Sequence, residues 1–426
     1  MDNLRQLVFA GAKLKQLPIN DKILDSLNYE LQVIEAKGKS DYFLILSKLI
    51  KICNGLNLLR SYGRGTAANS LVNYCLDITK INPLIEDLIF ERFLDSSRSS
   101  QIDIDIDVPK ESKTKIIEIF KKVHPEYNIY KLAFLPQKDN DYEDVYDGES
   151  HYKIHPTAII IVDIKTDLYS FHYQGNEYCI SFDLMHDPIS ANRFDMVELE
   201  YLNRLQQITD GLPVEHHPYN VPLNDSKVFE FFLNDNMQNI FQFNSPELRQ
   251  ILGRFKPNSI HDLSLINAIF RPGLREYIPM AIKNKTYTES IFNWSDERLT
   301  HILQETYGLL IYQESYLHIL NVIAGIPMTE AEMWRKTMMH QLGQGKAKEF
   351  AQKFRTGCKS NSNLNEPEIE KLKDLIEKFV RLTFQKSHSL SYSIIGYWGA
   401  YYKTYFSTKF QTVFDKADNF QKFELH

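Results

Sequence analysis

Gln101-Ile102-Asp103-Ile104-Asp105-Ile106-Asp107-Val108 is the stretch around which the rest of the chain is organised. Strand side chains alternate between faces, so an extended backbone sets three carboxylates on one face and Ile102, Ile104, Ile106 and Val108 on the other. The apolar face can bury. The acidic face cannot be dry and unpaired, because neighbouring carboxylates raise one another's pKa and each buried charge carries a desolvation cost. A divalent cation resolves the conflict, and Mg²⁺ suits it: a hard ion held by one or two carboxylates together with substrate phosphates and water. The alternative is an edge strand with a solvated acidic face, which these residues alone slightly favour.

The chain has 426 residues, 43% of them hydrophobic, 12% aromatic and 24% charged, a composition that predicts a globular protein of two or three domains. A formal net charge of −6 excludes a generally basic nucleic-acid coat and leaves polyanion binding to local Lys and Arg clusters. Cys53, Cys75, Cys179 and Cys358 fall in no zinc or redox spacing, so reduced thiols and a cytoplasmic location are expected. No signal peptide and no apolar run of membrane-spanning length is seen, so no membrane partner is expected.

Taken in order, residues 1–38 carry Leu, Lys and Gln at helical spacing, with Pro18 and Asn20-Asp21 marking a break and an N-cap before a helix at 22–36. Residues 42–52 predict a buried helix running into Asn54-Gly55. Ser61-Tyr62-Gly63-Arg64-Gly65-Thr66 is a glycine-containing turn that opens onto small residues and then an apolar helix. Free N–H groups and the positive end of a helix make such a junction a phosphate site, with Arg64 as a second contact, although most such turns are only helix starts. After helical Phe90-Glu91-Arg92-Phe93 and the acidic strand come a lysine-rich amphipathic helix at 110–123, a strand at 129–135, and an acidic loop at 136–150. Strands follow at 158–164 and 178–182. Arg193-Phe194-Asp195-Met196 precedes a helix expected at 197–208, where Asp195 taken alone reads as an N-cap. Beyond about Leu212 the pattern is helix after helix, with a strand pattern only near Ile240-Phe241-Gln242-Phe243.

In their shared order these motifs resemble the catalytic core of the bacterial DNA polymerase III alpha subunit, the C-family DNA polymerases. Gly63-Arg64-Gly65-Thr66 is similar to the family's Gly-Arg-Gly-Ser turn, Phe90 to Leu94 to its Phe-Glu-Arg-Phe-Leu, and Ile102 to Asp107 to its Pro-Asp-x-Asp-x-Asp strand. Arg193-Phe194-Asp195-Met196-Val197-Glu198-Leu199 resembles Lys-Phe-Asp-Phe-Leu-Gly-Leu. Phe241-Gln242, Phe270-Arg271-Pro272-Gly273, Tyr307-Gly308, Tyr312-Gln313-Glu314 and Phe384-Gln385-Lys386-Ser387-His388-Ser389 resemble segments of the family's helical half. Thr66, Asn69, Arg193 and Trp334-Arg335-Lys336 depart from the family pattern in chemically mild ways. Between Phe134 and His155 the family carries a thumb of some tens of residues where this chain has a short polar stretch. Nothing resembles the family's N-terminal phosphoesterase domain, its clamp-binding segment or its C-terminal nucleic-acid modules.

The resemblance implies an α+β fold: a nucleotidyltransferase-type, polymerase-beta-like palm with a mixed sheet, followed by a mainly helical fingers domain. The expected division is a helical segment at 1–38, a palm at 39–210 with the thumb reduced to a loop near 136–153, and fingers at 211–426. It also implies a DNA-directed DNA polymerase, distributive and without proofreading, that transfers dNMP from dNTP to a primer 3′-hydroxyl. Asp103, Asp105 and Asp195 would be the catalytic, metal-binding triad for two Mg²⁺, with Mn²⁺ as a substitute, while Asp107 braces the strand or faces solvent. Gly63, Arg64, Gly65, Thr66, Arg193, Arg335, Lys336, Lys386 and His388 would bind nucleotide, each basic residue having a surface salt bridge, and His388 a place in the core, as the alternative. Primer-template DNA and dNTP are the expected partners, with a protein replacing thumb or clamp. The rival readings are a nucleotidyltransferase that no longer copies a template and a catalytically silent nucleic-acid-binding relative.

Overall fold

The computed structural model describes residues 2–95, 102, 104–135, 144–147, 150–166, 170–173, 177–181, 192–234, 236–287, 294–339 and 344–415. The chain divides into two units, Met1–Pro83 with Arg98–Gln206, and Leu84–Ser97 with Gln207–His426.

The first unit begins with helices α1 (Asp2–Leu14), α2 (Asp21–Ala36), α3 (Ser40–Gly55) and the single turn α4 (Leu71–Cys75), while α5 (Phe90–Phe93) belongs to the second unit. Asn20 caps α2 by accepting from the Ile23 N–H at 3.0 Å, as the sequence predicts. The sheet comprises β1 (Asp105–Pro109), β2 (Tyr127–Phe134), β3 (Asp144–Asp147), β4 (Ser150–Asp163), β5 (Phe171–His172), β6 (Tyr178–Ser181) and β7 (Asn192–Leu199), with helix α6 (Ser112–Val123) after β1 and α7 (Glu200–Thr209) after β7. Strand order is β1-β7-β4-β2-β6-β5, with β3 paired to β4. The sheet is mixed: β1 runs parallel to β7, and β4 antiparallel to both β7 and β2.

Why it forms is readable in its centre. Ala158-Ile159-Ile160-Ile161-Val162 is buried throughout, as expected of a strand covered on both faces. On one face Phe194 stacks on Tyr42 of α3 with ring centroids 4.5 Å apart. Ile106, its register partner Met196, and Val108 are buried on that same face.

Three expectations are corrected. Residues 197–199 extend β7 instead of opening a helix, because Val197 and Leu199 lie in register with Asp107 and Pro109 of β1; Asp195 is therefore mid-strand and no N-cap. Residues 144–147 and 150–153 of the expected acidic loop form a hairpin, Asp144↔Lys153 through Asp147↔Ser150, driven by buried Val145 and Tyr152, which are register partners. The remainder of that loop lies outside the described residues. Residues 239–243 are turns, with Asn239 and Gln242 at φ 62° and 64°, and form no strand.

The second unit is helical: α8 (Ser226–Phe231), α9 (Pro246–Phe255), α10 (Ile260–Ile269), α11 (Ile278–Thr286), α12 (Glu297–Leu303), α13 (Gln313–His318), α14 (Met328–Met339), α15 (Gln344–Asn361), α16 (Glu366–Phe379), α17 (Lys386–Tyr405) and α18 (Ser407–Asp415). Helix α17 is buried almost all round. Its serines allow close packing, and Ser389 donates to the Ser264 carbonyl of α10 at 2.6 Å. The molecule is thus α+β. No helix among the described residues is long and apolar enough to cross a membrane.

Candidate active site

Strand register builds the acidic site. Asp105 and Asp195, ninety residues apart in sequence, are direct partners across the parallel β1–β7 pair, so their side chains leave the same face of the sheet side by side. Asp105 is partly exposed, whereas Asp195 and Asp107 are buried. Each carboxylate has a guanidinium beside it. Arg193 places Nε 3.0 Å and Nη2 2.9 Å from Asp195 Oδ2. Arg64 places Nε 3.6 Å from Asp105 Oδ2 and Nη1 3.5 Å from Asp107 Oδ1. Asp107 therefore braces the site from within, and the solvent-facing alternative is corrected. Asp103 lies outside the described residues.

The electrostatics match this crowding. Burial is the main cause that pushes the Asp105 carboxyl above the ordinary carboxylate value; Asp195 and Asp107 add to the rise, and Arg64 and Arg193 oppose it. Such a group gains from an added cation. Asp105 and Asp195 offer the hard oxygen donors that Mg²⁺ takes, and two carboxylates suffice when substrate phosphates complete the shell. Among the described residues, no group of three His, Cys, Asp or Glu side chains is placed to hold a metal ion by itself.

Two further residues reach Asp195. Thr157 donates its hydroxyl to Asp195 Oδ1 at 2.5 Å. His155 sets Nδ1 3.7 Å from the same oxygen but accepts there from the Ala158 N–H at 3.0 Å. Burial, with Arg193 and Lys113, holds the His155 ring below the usual histidine range against the pull of Asp195. Neither residue carries a sequence signal, since a lone His and a lone Thr have no spacing to interpret.

The glycine turn lies against this cluster. Gly63 and Gly65 have φ of +121° and +65°, and a Cβ at Gly63 would meet Thr79 Cγ2 at 2.7 Å. A Cβ at Gly65 would stand 3.9 Å from Asp105 Oδ2, which places the turn's backbone close to that carboxylate. Thr66 lies in the 3₁₀ segment Gly65–Asn69 that follows. The start of the apolar helix α4 is already occupied: buried Glu30 accepts from the Leu71 and Val72 N–H groups at 2.8 and 2.9 Å and from the Ser70 hydroxyl at 2.7 Å. Phosphate-binding capacity at this junction thus rests on the turn itself.

The remaining sequence-derived candidates lie in the second unit. Buried Glu332 gathers Arg335 (2.7 and 3.0 Å), Lys336 (3.1 Å) and Arg92 (3.0 Å). Lys386 is buried, with Nζ 2.7 Å from Glu305 Oε2 and 2.8 Å from the Glu86 carbonyl. His388 is held between the rings of Phe384 and Tyr392, with centroids at 5.5 and 4.5 Å. Three cations thus share Glu332, and Glu314 also acts on Arg92. Glu305 and Glu86 escape sequence reasoning because their partners are distant in the chain, as does the contact of Glu332 with Arg92, although Arg335 and Lys336 lie within one helical turn of that glutamate.

Residues 2–138 match the bacterial DNA polymerase III alpha NTPase domain, and residues 198–362 match the bacterial DNA polymerase III alpha subunit finger domain. Among curated proteins, the chain is 29% identical to DNA polymerase III subunit alpha of Ureaplasma parvum, an alignment that covers 94% of this chain and 48% of that protein. It is 27% identical to the subunit of Halalkalibacterium halodurans and 26% identical to that of Bacillus subtilis, each alignment covering 94% of this chain and 42% of the relative. The chain spans about half the length of the curated relatives it matches. Both matched regions stand in the same order as the acidic strand and the helical half, and along 94% of its length the chain is similar to bacterial DNA polymerase III alpha subunits.

Proposed function

We propose that this chain is a metal-dependent, DNA-directed DNA polymerase whose first unit is a nucleotidyltransferase-type palm and whose helical second unit acts as fingers. The observation that carries the reading is the β1–β7 register that sets Asp105 beside Asp195 with a guanidinium at each. Asp105 and Asp195, joined by Asp103, would hold two Mg²⁺, or Mn²⁺ in their place. When bound, the ions supply Lewis acidity to the primer 3′-hydroxyl and charge neutralisation to the leaving pyrophosphate.

The chain's own residues do the rest. Gly63, Gly65 and Thr66 offer backbone groups to the triphosphate of a dNTP, and the glycine turn keeps that backbone next to Asp105. Arg64 and Arg193 neutralise the carboxylates and, as planar forks, can exchange them for phosphate oxygens. Arg335, Lys336, Lys386 and His388 are the second unit's proposed phosphate contacts. To serve, Lys386 would have to leave Glu305, and Arg335 and Lys336 would have to leave Glu332. The primer 3′-hydroxyl gives its proton to solvent as its oxygen attacks the α-phosphorus, the bond to the bridging oxygen breaks, and pyrophosphate departs.

The second reading is a nucleotidyltransferase without a template, favoured by the tight β3–β4 hairpin where the family resemblance calls for a thumb. Extension of a primer-template, run beside a single-stranded primer with dNTP, separates the two. We expect templated extension only, abolished by Asp105→Ala or Asp195→Ala with the circular dichroism spectrum retained. Near wild-type extension by either variant would refute the carboxylate assignment.

A further inference from the structure

Asp195 is held from two sides by groups of different character. Arg193 grips Oδ2 with a charge, through Nε and Nη2. Thr157 grips Oδ1 with a neutral hydroxyl. A cation drawn to Asp195 repels the guanidinium, but it leaves a neutral donor in place. The hydroxyl is in turn placed from behind. Lys113 of α6 donates to the Pro156 and Thr157 carbonyls, both at 2.9 Å, and the His155 ring accepts from the Thr157 and Ala158 N–H groups. Lys113 and the imidazole thus fix the backbone of residues 156–158, a backbone whose one side-chain hydroxyl points at the carboxylate.

We propose that Thr157 is a positioning residue for Asp195, keeping one carboxylate oxygen oriented towards a metal ion while Arg193 moves between carboxylate and nucleotide phosphate. This rests on the polymerase reading, since it supposes that Asp195 binds metal. Thr157 touches no reacting atom and acts only through Asp195. Its contribution is therefore to metal affinity, and outer partners of metal-binding carboxylates are worth about 10- to 100-fold in that quantity.

The test uses the full chain with a dNTP and no primer, with Mn²⁺ binding followed by the paramagnetic resonance of the free ion. Thr157→Val, nearly the same shape without the hydroxyl, is expected to weaken Mn²⁺ about 10-fold. Thr157→Ser should restore it, and circular dichroism should be unchanged in both. In extension assays the Val variant should recover at high Mg²⁺, which a folding defect would not. If Thr157→Val binds Mn²⁺ as tightly as the unchanged chain while Asp195→Ala does not, Thr157 has no positioning role. If Asp195→Ala also leaves Mn²⁺ binding untouched, the metal assignment of Asp195 itself is wrong and this proposal falls with it.

Discussion

At Asp105, stability and the proposed metal-binding function oppose one another. Burial and the neighbouring Asp195 and Asp107 raise its pKa above the unfolded value despite Arg64 and Arg193, so the folded chain takes up a proton more readily than the unfolded one. The sign follows: stability falls as pH rises from the unfolded carboxylate pKa of about 4 through the higher folded value. Asp105→Asn removes this penalty. Measured in EDTA, the variant should unfold at a higher temperature than the unchanged chain at pH 7, with the gap closing as pH falls below about 4. An equal gap at both pH values would show that its charge is not under strain.

Among the elements, α17 shows how a glycine fixes a neighbour. A Cβ at Gly396 would stand 2.7 Å from the Phe241 carbonyl oxygen and 2.7 Å from the Phe243 ring, so only glycine lets the 239–243 turn press against this helix. Backbone cannot yield as a side-chain tip can. Gly396→Ala should therefore destabilise the second unit by about 1–3 kcal/mol, the cost typical of overpacking, despite alanine's better helix propensity. Urea unfolding followed by tryptophan fluorescence tests this, since Trp398 is fully buried on the same helix. A stabilised variant would mean that the turn relaxes freely.

For the whole molecule, the question is how DNA would be held. Phosphate contacts dominate such binding and set its salt dependence. This chain has a net charge of −6, and residues 136–150 contain Asp139, Asp141, Glu143, Asp144, Asp147 and Glu149 against Lys138 alone. That segment repels a phosphate backbone and cannot substitute for a basic thumb. Primer extension against a trap DNA should yield products of one or a few nucleotides per encounter, shorter still as salt rises, unless a partner protein supplies the grip. Products of hundreds of nucleotides from single encounters at physiological salt would show that the duplex is gripped elsewhere.

The sequence by itself determined the features that depend on local spacing. Alternation at 102–108 set Asp105 and Asp107 opposite Ile106 and Val108, and Asn20 announced the cap of α2. The order of short motifs was enough to show the family resemblance. Tertiary structure alone decided what depends on partners distant in the chain. Residues 197–199 became strand because β1 offers them a parallel ladder, and that register brings Asp195 to Asp105. The start of α4, legible as an anion site, is occupied by Glu30 from α2, forty residues earlier. Arg335 and Lys336, legible only as a basic pair, share Glu332 with Arg92, which lies two hundred and forty residues before that glutamate. Thr157 reached Asp195 only when β4 paired with β7. Local propensity and periodicity act over a few residues, while charge pairing and register act wherever folding brings chains together, and the second cannot be inferred from the first.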